Sequence, residues 1–158
     1  MWRLFQPMTP TTSLELIADV LSTADTFLRE GQRLFKPHGL TVAQYNVLNV
    51  LALAESAAGL SQRELGDELV VDRSNVTGLI DRMTRAGWVR RADDPEDRRI
   101  YRVQLTPDGR RLWEKVSPRY AAVVGQVTRS LTDRQVRDTL IVLGQLKAGA
   151  TTWKLPRE

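Results

Sequence analysis

Residues 61–105 read SQRELGDELVVDRSNVTGLIDRMTRAGWVRRADDPEDRRIYRVQL, and no other stretch of the chain constrains its architecture as tightly. Ser61 and Glu64 have the S-x-x-E spacing of a capping box, which satisfies two orphan amides at a helix start. Leu65 and Leu69 then recur at helical spacing. Asp72 is a favourable N-cap for a second helix, over about 72–86, whose apolar residues are Val76, Leu79, Ile80 and Met83. Those four positions make one buried stripe on a 3.6-residue period. Gly87 comes next, where a left-handed residue commonly closes a helix. The connection near Val70 and Val71 is short, so the segment has the helix, tight turn, helix pattern.

The other face of the second helix carries the chemistry. At about 100° per residue, the side away from Leu79 and Met83 bears Ser74, Thr77, Gly78, Asp81, Arg82 and Arg85, with Arg73 and Asn75 in the first turn. Short hydroxyl and amide side chains allow close approach to base edges, and arginines further along reach bases or phosphates. Taken alone, such a face is more often merely solvated. The next residues change that balance. Ile100, Arg102 and Gln104 alternate with Tyr101, Val103 and Leu105, which is a strand period, and Asp94-Pro95 marks the turn before it. This wing, over about 88–105, carries Arg90, Arg91, Arg98, Arg99 and Arg102. A basic hairpin beside a recognition helix can enter a minor groove, where arginine is attracted by the narrow-groove potential. The plainer alternative pairs those arginines with Asp93, Asp94, Glu96 and Asp97.

The run Asp97 to Thr106 fits D-x-R-x5-L-T, preceded by DRSNVTGLIDRMTRAGWVRR and followed by PDGRRL. Together these resemble the winged helix-turn-helix of the MarR (multiple antibiotic resistance regulator) family. The resemblance is specific over residues 60–112 and extends by helix order over about 12–148. It implies a homodimeric transcriptional regulator, usually a repressor released by a small molecule, that binds double-stranded DNA. It assigns Asp97 and Arg99 to bracing the wing against the helix-turn-helix, and Arg98 to the wing tip that reaches DNA. Gly78 departs from the family pattern, where a larger, often basic residue is common. Glycine inside a helix costs ~1 kcal/mol relative to alanine, so its presence points to close backbone approach to DNA or to a different operator. The resemblance also implies an aromatic or phenolic effector held between the dimer helices and the winged region. Arg33, His38, Tyr45 and Tyr120 are the candidates to line it, with packing as the competing role for each.

Composition agrees with this reading but does not produce it. The chain has 158 residues and a net charge of +4, one domain's worth with room for a sizeable core. Residues 61–102 hold nine arginines and nine acidic residues, a net of zero, while 106–158 hold ten basic and five acidic residues, a net of +5. Placement of charge, rather than its total, therefore argues for DNA. Cysteine is absent, which excludes disulfides, thiolate metal sites and thiol-based oxidation switches. No cofactor and no metal are expected. The start MWRLFQPMTP lacks the apolar core of a signal peptide, and no apolar run approaches the roughly 20 residues of a membrane span. The expectation is a cytoplasmic protein. Enzyme chemistry finds no support: the single histidine, His38, sits in a Pro-His-Gly turn, and neither a nucleophile elbow nor a phosphate-cradling glycine loop occurs.

The flanks complete a mainly α architecture, a winged helix-turn-helix with terminal dimerisation helices. Thr12 and Glu15 open a long helix with Leu14, Ile17, Leu21, Ala24 and Leu28 on one stripe, ended by Lys36-Pro37-His38-Gly39. Thr41 and Gln44 open another, ended near Gly59. Thr106-Pro107 opens the helix after the wing, with a kink expected before Pro118. Thr132 and Gln135 open the last, with Val136, Leu140, Leu143 and Leu146. Residues 12–36 and 106–148 are assigned to a helical dimerisation region and 41–105 to the winged helix-turn-helix, in one intertwined domain. A two-fold dimer would present two recognition helices about 34 Å apart to a pseudo-palindrome. The alternative is a winged-helix module that binds protein and no effector.

Overall fold

The computed structural model describes residues 11–54, 56, 58–69, 73–94, 97 and 99–152. The chain divides into two compact units, with the boundary between Pro118 and Arg119.

The first unit begins with α1 (Thr11–Phe35), whose 25 residues end in a single 3-10 turn, Lys36–His38. Gly39 then takes φ 71°, and its N–H donates to Lys36 O at 3.0 Å, closing the helix in the left-handed conformation that glycine adopts at least cost. Helix α2 (Val42–Leu53) starts with the expected capping box: Thr41 N–H donates to Gln44 Oε1 at 2.8 Å, and Gln44 N–H to Thr41 Oγ1 at 3.2 Å. It stops at Leu53, earlier than the sequence suggests, because Ala54 is already extended. Gly59 serves a different element. At φ 81° it turns the chain into a short strand, β1 (Leu60–Ser61), and a Cβ there would lie 2.2 Å from Val103 O.

Helix α3 (Gln62–Glu68) is opened by the second capping box, with Ser61 N–H donating to Glu64 Oε2 at 2.7 Å and Glu64 N–H to Ser61 Oγ at 3.2 Å. Helix α4 (Arg73–Arg85) comes next. The expected N-cap, Asp72, lies outside the described residues. Strands β2 (Val89–Asp93) and β3 (Tyr101–Leu105) form the wing, and β1 joins them in an antiparallel sheet of order β1-β3-β2. The strand β1 is not legible in the sequence, since two residues carry no period. Its register, Leu60 opposite Val103 and Ser61 opposite Arg102, ties the start of α3 to the wing.

The core of this unit is built from the predicted stripes. Leu65, Val76, Leu79, Ile80 and Met83 are buried between α3 and α4, and Val89 and Val103 seal the same core from the sheet. Phe35, Leu40, Tyr45, Val47 and Leu48 continue it toward α1 and α2, where the Phe35 and Tyr45 rings stack at 4.2 Å. Each such apolar side chain taken fully out of water contributes about 1.5–3 kcal/mol. Helix α5 (Pro107–Thr128) runs on from the wing and passes through Pro118 without a break in its helical assignment.

The second unit holds the rest of α5 and α6 (Asp133–Thr152). The Thr132–Gln135 box opens α6, with Gln135 N–H donating to Thr132 Oγ1 at 3.3 Å and Thr132 N–H to Gln135 Oε1 at 2.9 Å. Helix α6 has no buried residue: Leu140, Ile141, Val142 and Leu143 are 63%, 62%, 44% and 42% exposed. In the first unit α1 likewise leaves Leu14, Ile17, Leu21, Phe27 and Leu28 in solvent. Among the described residues, no helix is long and apolar enough to cross a membrane.

Candidate nucleic-acid interface

Helix α4 turns its apolar stripe inward and leaves Asn75, Thr77, Arg82 and Arg85 exposed, with Gly78 half-buried between them. Arg73 and Ser74 occupy its first turn, and their side chains lie outside the described set. A Cβ built on Gly78 would find Arg82 Nη1 at 3.5 Å, an ordinary contact. Nothing inside the described protein therefore demands glycine at 78.

The end of α4 is locked to the first residues of the wing. Trp88 N–H donates to Met83 O and Gly87 N–H to Thr84 O, each at 3.0 Å, with Gly87 at φ 76°. This is the double-bonded left-handed stop in which both terminal carbonyls are satisfied. Thr106 then caps α5 and clasps the same turn. Its hydroxyl donates to Gly87 O at 2.6 Å and accepts from Gly109 N–H at 3.0 Å, while its backbone N–H reaches Trp88 O at 3.1 Å. Gly109 packs so closely that a Cβ would lie 2.0 Å from Trp88 O. The end of α4, the base of the wing and the start of α5 are thus bonded into one corner.

Ion pairs hold the wing. Arg102 Nε meets Asp94 Oδ2 at 2.5 Å, where Asp94 is only 6% exposed; Arg102 Nη1 also donates to Gly59 O at 3.1 Å and lies 3.7 Å from Glu64 on α3. Arg91 on β2 reaches Asp81 on α4 at 2.6 Å. Arg99 pairs with Asp97 through Nε at 3.0 Å and Nη2 at 2.9 Å, and its backbone N–H also donates to Asp97. The sequence reading gives Asp97 and Arg99 the task of bracing the wing against the helices. Among the described residues their bonds to one another stay within the wing tip, Asp97 N–H also donates at 3.1 Å to Asp94, the partner of Arg102, and Arg102 and Arg91 add ion pairs to Glu64 and Asp81 of the helix-turn-helix. The signal for that is weak, because charges of both signs alternate through 90–102 and sequence does not say which pairs meet. Arg98 lies outside the described residues.

Hydrogen bonds from the Arg99 guanidinium, then from its backbone, hold the Asp97 carboxyl below its ordinary value, and Asp97 raises Arg99 in return. The Ser61 backbone N–H, followed by the Ser61 hydroxyl, lowers Glu64. Between α3, α4 and the wing lies an open groove of about 680 Å³ lined by Ser61, Gln62, Arg63, Thr77, Arg91, Arg99, Ile100 and Tyr101. It brings Thr77 and Arg99 of the predicted set together with Arg91, named in the sequence only as one of the wing arginines, and with Arg63 and Tyr101, which sequence reasoning gave no role at the interface. Among the described residues Arg63, Arg82 and Arg90 make no ion pair, and Arg85 makes only a 3.4 Å bond to the Asp81 backbone oxygen.

None of the effector candidates is among the residues lining this groove. Arg33 is exposed and pairs with Glu30 at 2.9 Å. His38 is half-buried, its Nε2 enclosed and without a hydrogen-bond partner among the described residues. Tyr45 is a core residue, 1% exposed and stacked on Phe35, so it lines no open space. Tyr120 belongs to the second unit and is half-buried. Among the described residues no group of three or more His, Asp or Glu is gathered as a metal site would need.

A polar, arginine-bearing helix face with a braced β-hairpin beside it defines a winged helix-turn-helix regulator. Comparison with known proteins agrees. A sequence profile described as the MarR family matches residues 38–100. The transcriptional activatory protein BadR of Rhodopseudomonas palustris is 37% identical over 118 residues, covering 74% of this chain and 67% of BadR. The transcriptional regulator MosR of M. tuberculosis, solved in complex with DNA, superposes with a TM-score of 0.69 at 30% identity, over 87% of this chain and 98% of MosR. CouR of Rhodococcus jostii RHA1, solved bound to p-coumaroyl-CoA, superposes with a TM-score of 0.67 at 28% identity, over 90% and 95% of the two chains. The chain belongs to the MarR family of transcriptional regulators.

Proposed function

We propose that this protein is a homodimeric, sequence-specific DNA-binding repressor that reads a pseudo-palindromic operator with α4 and the wing. The observation that carries the reading is the outward face of α4, where Asn75, Thr77, Arg82 and Arg85 stand exposed beside a wing tied to the same helix at 2.6 Å. On this reading Ser74, Asn75, Thr77 and Gly78 approach base edges, Arg82 and Arg85 reach bases or phosphates, Arg73 and Arg98 contact the backbone, and Asp97 with Arg99 stiffens the wing tip. MosR's DNA complex supports double-stranded DNA as the partner.

Dimerisation is supported by the apolar residues that a single chain leaves in water on α1 and α6. Exposed apolar surface on that scale marks an interaction face, and closed two-fold dimers are the commonest assembly. Residues 12–36 and 106–148 are assigned this role and 41–105 the DNA-binding role. Relief by a small aromatic or phenolic effector is supported by CouR's bound p-coumaroyl-CoA, with Arg33, His38 and Tyr120 as the contacts to test.

The deciding experiment is recovery of genomic fragments by the purified full-length protein, with a salt titration on the recovered sequence. Selective binding whose logarithm falls linearly with log salt supports the reading. Recovery of no preferred sequence, or binding indifferent to salt, overturns it. BadR's name records activation; in vitro transcription from the recovered promoter separates repression from activation.

A further inference from the structure

Asp81 is out of place by simple electrostatics. It stands on the recognition helix one residue before Arg82, with its side chain 46% exposed, where a carboxylate would repel phosphate. Its partner is not a neighbour on the same helix but Arg91 of β2, ten residues on, at 2.6 Å from Oδ1. Arg91 is placed for this by register. It lies opposite Val103, and Val89 lies opposite Leu105, so Arg91 shares the sheet face whose Val89 and Val103 are buried in the core. From that face its side chain reaches α4 and lines the groove that Thr77, Arg63 and Tyr101 also line. The guanidinium offers five N–H donors in a fixed fork, and the contact to Asp81 uses Nη2.

We propose that Asp81 and Arg91 are a positioning pair for DNA recognition: the Asp81 carboxylate fixes the angle of the wing to the recognition helix and orients Arg91 so that its remaining donors face a backbone phosphate in the groove. This rests on the DNA-binding reading above. It makes a claim opposite in sign to the ordinary one. A protein whose acidic residue on a DNA-facing helix does nothing but repel phosphate should bind DNA more tightly when that residue is neutralised. One whose carboxylate holds an arginine and the wing in place should bind more weakly.

The test uses the full-length protein and a duplex carrying the operator recovered with wild type. Asp81→Asn is expected to weaken binding about tenfold, within the range for directly contacting charged pairs. Arg91→Ala is expected to weaken it at least as much, and the double variant no further than Arg91→Ala alone. The exchange variant, Asp81→Arg with Arg91→Asp, keeps net charge and restores the bridge with reversed polarity. It is expected to bind no more tightly than Arg91→Ala, because residue 91 then presents a carboxylate where the phosphate needs a donor, and recovery to wild-type affinity would show that Arg91 makes no phosphate contact. Melting temperature of each free protein is recorded alongside, and Asp81→Asn is expected to melt within a few degrees of wild type because the side chains of the pair keep 33% and 46% of their surface in water, where an ion pair contributes little. Tighter or unchanged binding by Asp81→Asn, or strictly additive losses in the double variant, overturns the proposal while leaving DNA binding intact. A wild type that selects no DNA sequence overturns both.

Discussion

Gly78→Ala and Gly109→Ala are the same chemical change in two helices, and the structure gives them opposite signs. At Gly78 the backbone is not in the left-handed region, which among the described glycines is occupied by Gly39, Gly59 and Gly87. The nearest atom to the added methyl is the far end of the Arg82 side chain, at 3.5 Å. Only the helix term remains, about 0.8–1 kcal/mol in favour of alanine, which for a chain of this size raises the melting temperature by roughly 2–4 °C. At Gly109 the same helix gain meets a carbonyl. The methyl would lie 2.0 Å from Trp88 O and 2.9 Å from Trp88 C, and both belong to backbone held by Thr106. Forcing that corner apart costs about 1–3 kcal/mol or more, so the net change is destabilising. Thermal melts at equal protein concentration, without DNA, check both, since assembly makes melting concentration-dependent. A Gly78→Ala protein that melts below wild type would refute the account of α4, and a Gly109→Ala protein as stable as wild type would refute the bonded corner. Operator affinity is the second readout. If Gly78 is there to let the helix backbone approach DNA, the more stable variant binds more weakly, and unchanged affinity would show that the glycine serves no contact.

Arg102→Leu removes one partner of the buried Asp94 carboxylate, which keeps the Asp97 N–H on Oδ1, and is expected to cost about 1.5–3 kcal/mol, the range for a hydrogen bond to a charged group, with a lower urea midpoint as the check and wild-type stability as the contrary result. Arg98→Ala is expected to weaken operator binding by about 1–3 kcal/mol and to flatten the salt slope by about one unit; a titration with both parameters unchanged would remove Arg98 from the interface. Leu140→Glu puts a charge on an α6 face that a dimer would desolvate, so the variant should sediment as a monomer and lose operator binding, whereas a variant dimer as tight as wild type would refute the assembly. Glu64 is held below its ordinary value by Ser61, so its contribution is present above the unfolded carboxylate value near 4.3 and is lost as pH falls through the lower folded value. Glu64→Gln keeps the capping geometry without the charge, and should lose less stability than wild type in urea titrations between about pH 6 and pH 3; parallel losses would show that the box does not titrate.

Local rules make most of the winged region legible. Capping boxes at Thr41, Ser61 and Thr132, the stop at Gly87 and the cap at Thr106 depend on residues within a few positions of each other, and all appear in the structure. The buried stripe of α4 comes from period alone. Strand β1 escapes the sequence for the opposite reason. It is set by Gly59 lying against Val103, 44 positions along the chain, and no local pattern announces that contact. The sequence leaves Tyr45 open between ligand contact and packing, because an aromatic residue with a hydroxyl looks alike whether it lines a pocket or stacks on Phe35.

The candidate interface shows where a charge count fails and a register succeeds. Residues 61–102 net to zero, so composition cannot distinguish a DNA-binding surface from a solvated one. The strand pairing resolves the arginines into two sets. Arg91, Arg99 and Arg102 are held by Asp81, Asp97 and Asp94, while Arg63, Arg82 and Arg90 carry no ion pair among the described residues. The acidic residues thus do not cancel the basic ones uniformly; they pair with particular arginines and leave others without an ion pair among the described residues. Since the salt dependence of DNA binding counts phosphates neutralised rather than net charge, a segment whose charges sum to zero can still bind DNA through the arginines that its carboxylates leave available. Removing Arg63 or Arg82 should therefore flatten the salt slope without lowering stability, and removing Arg102 should do the reverse.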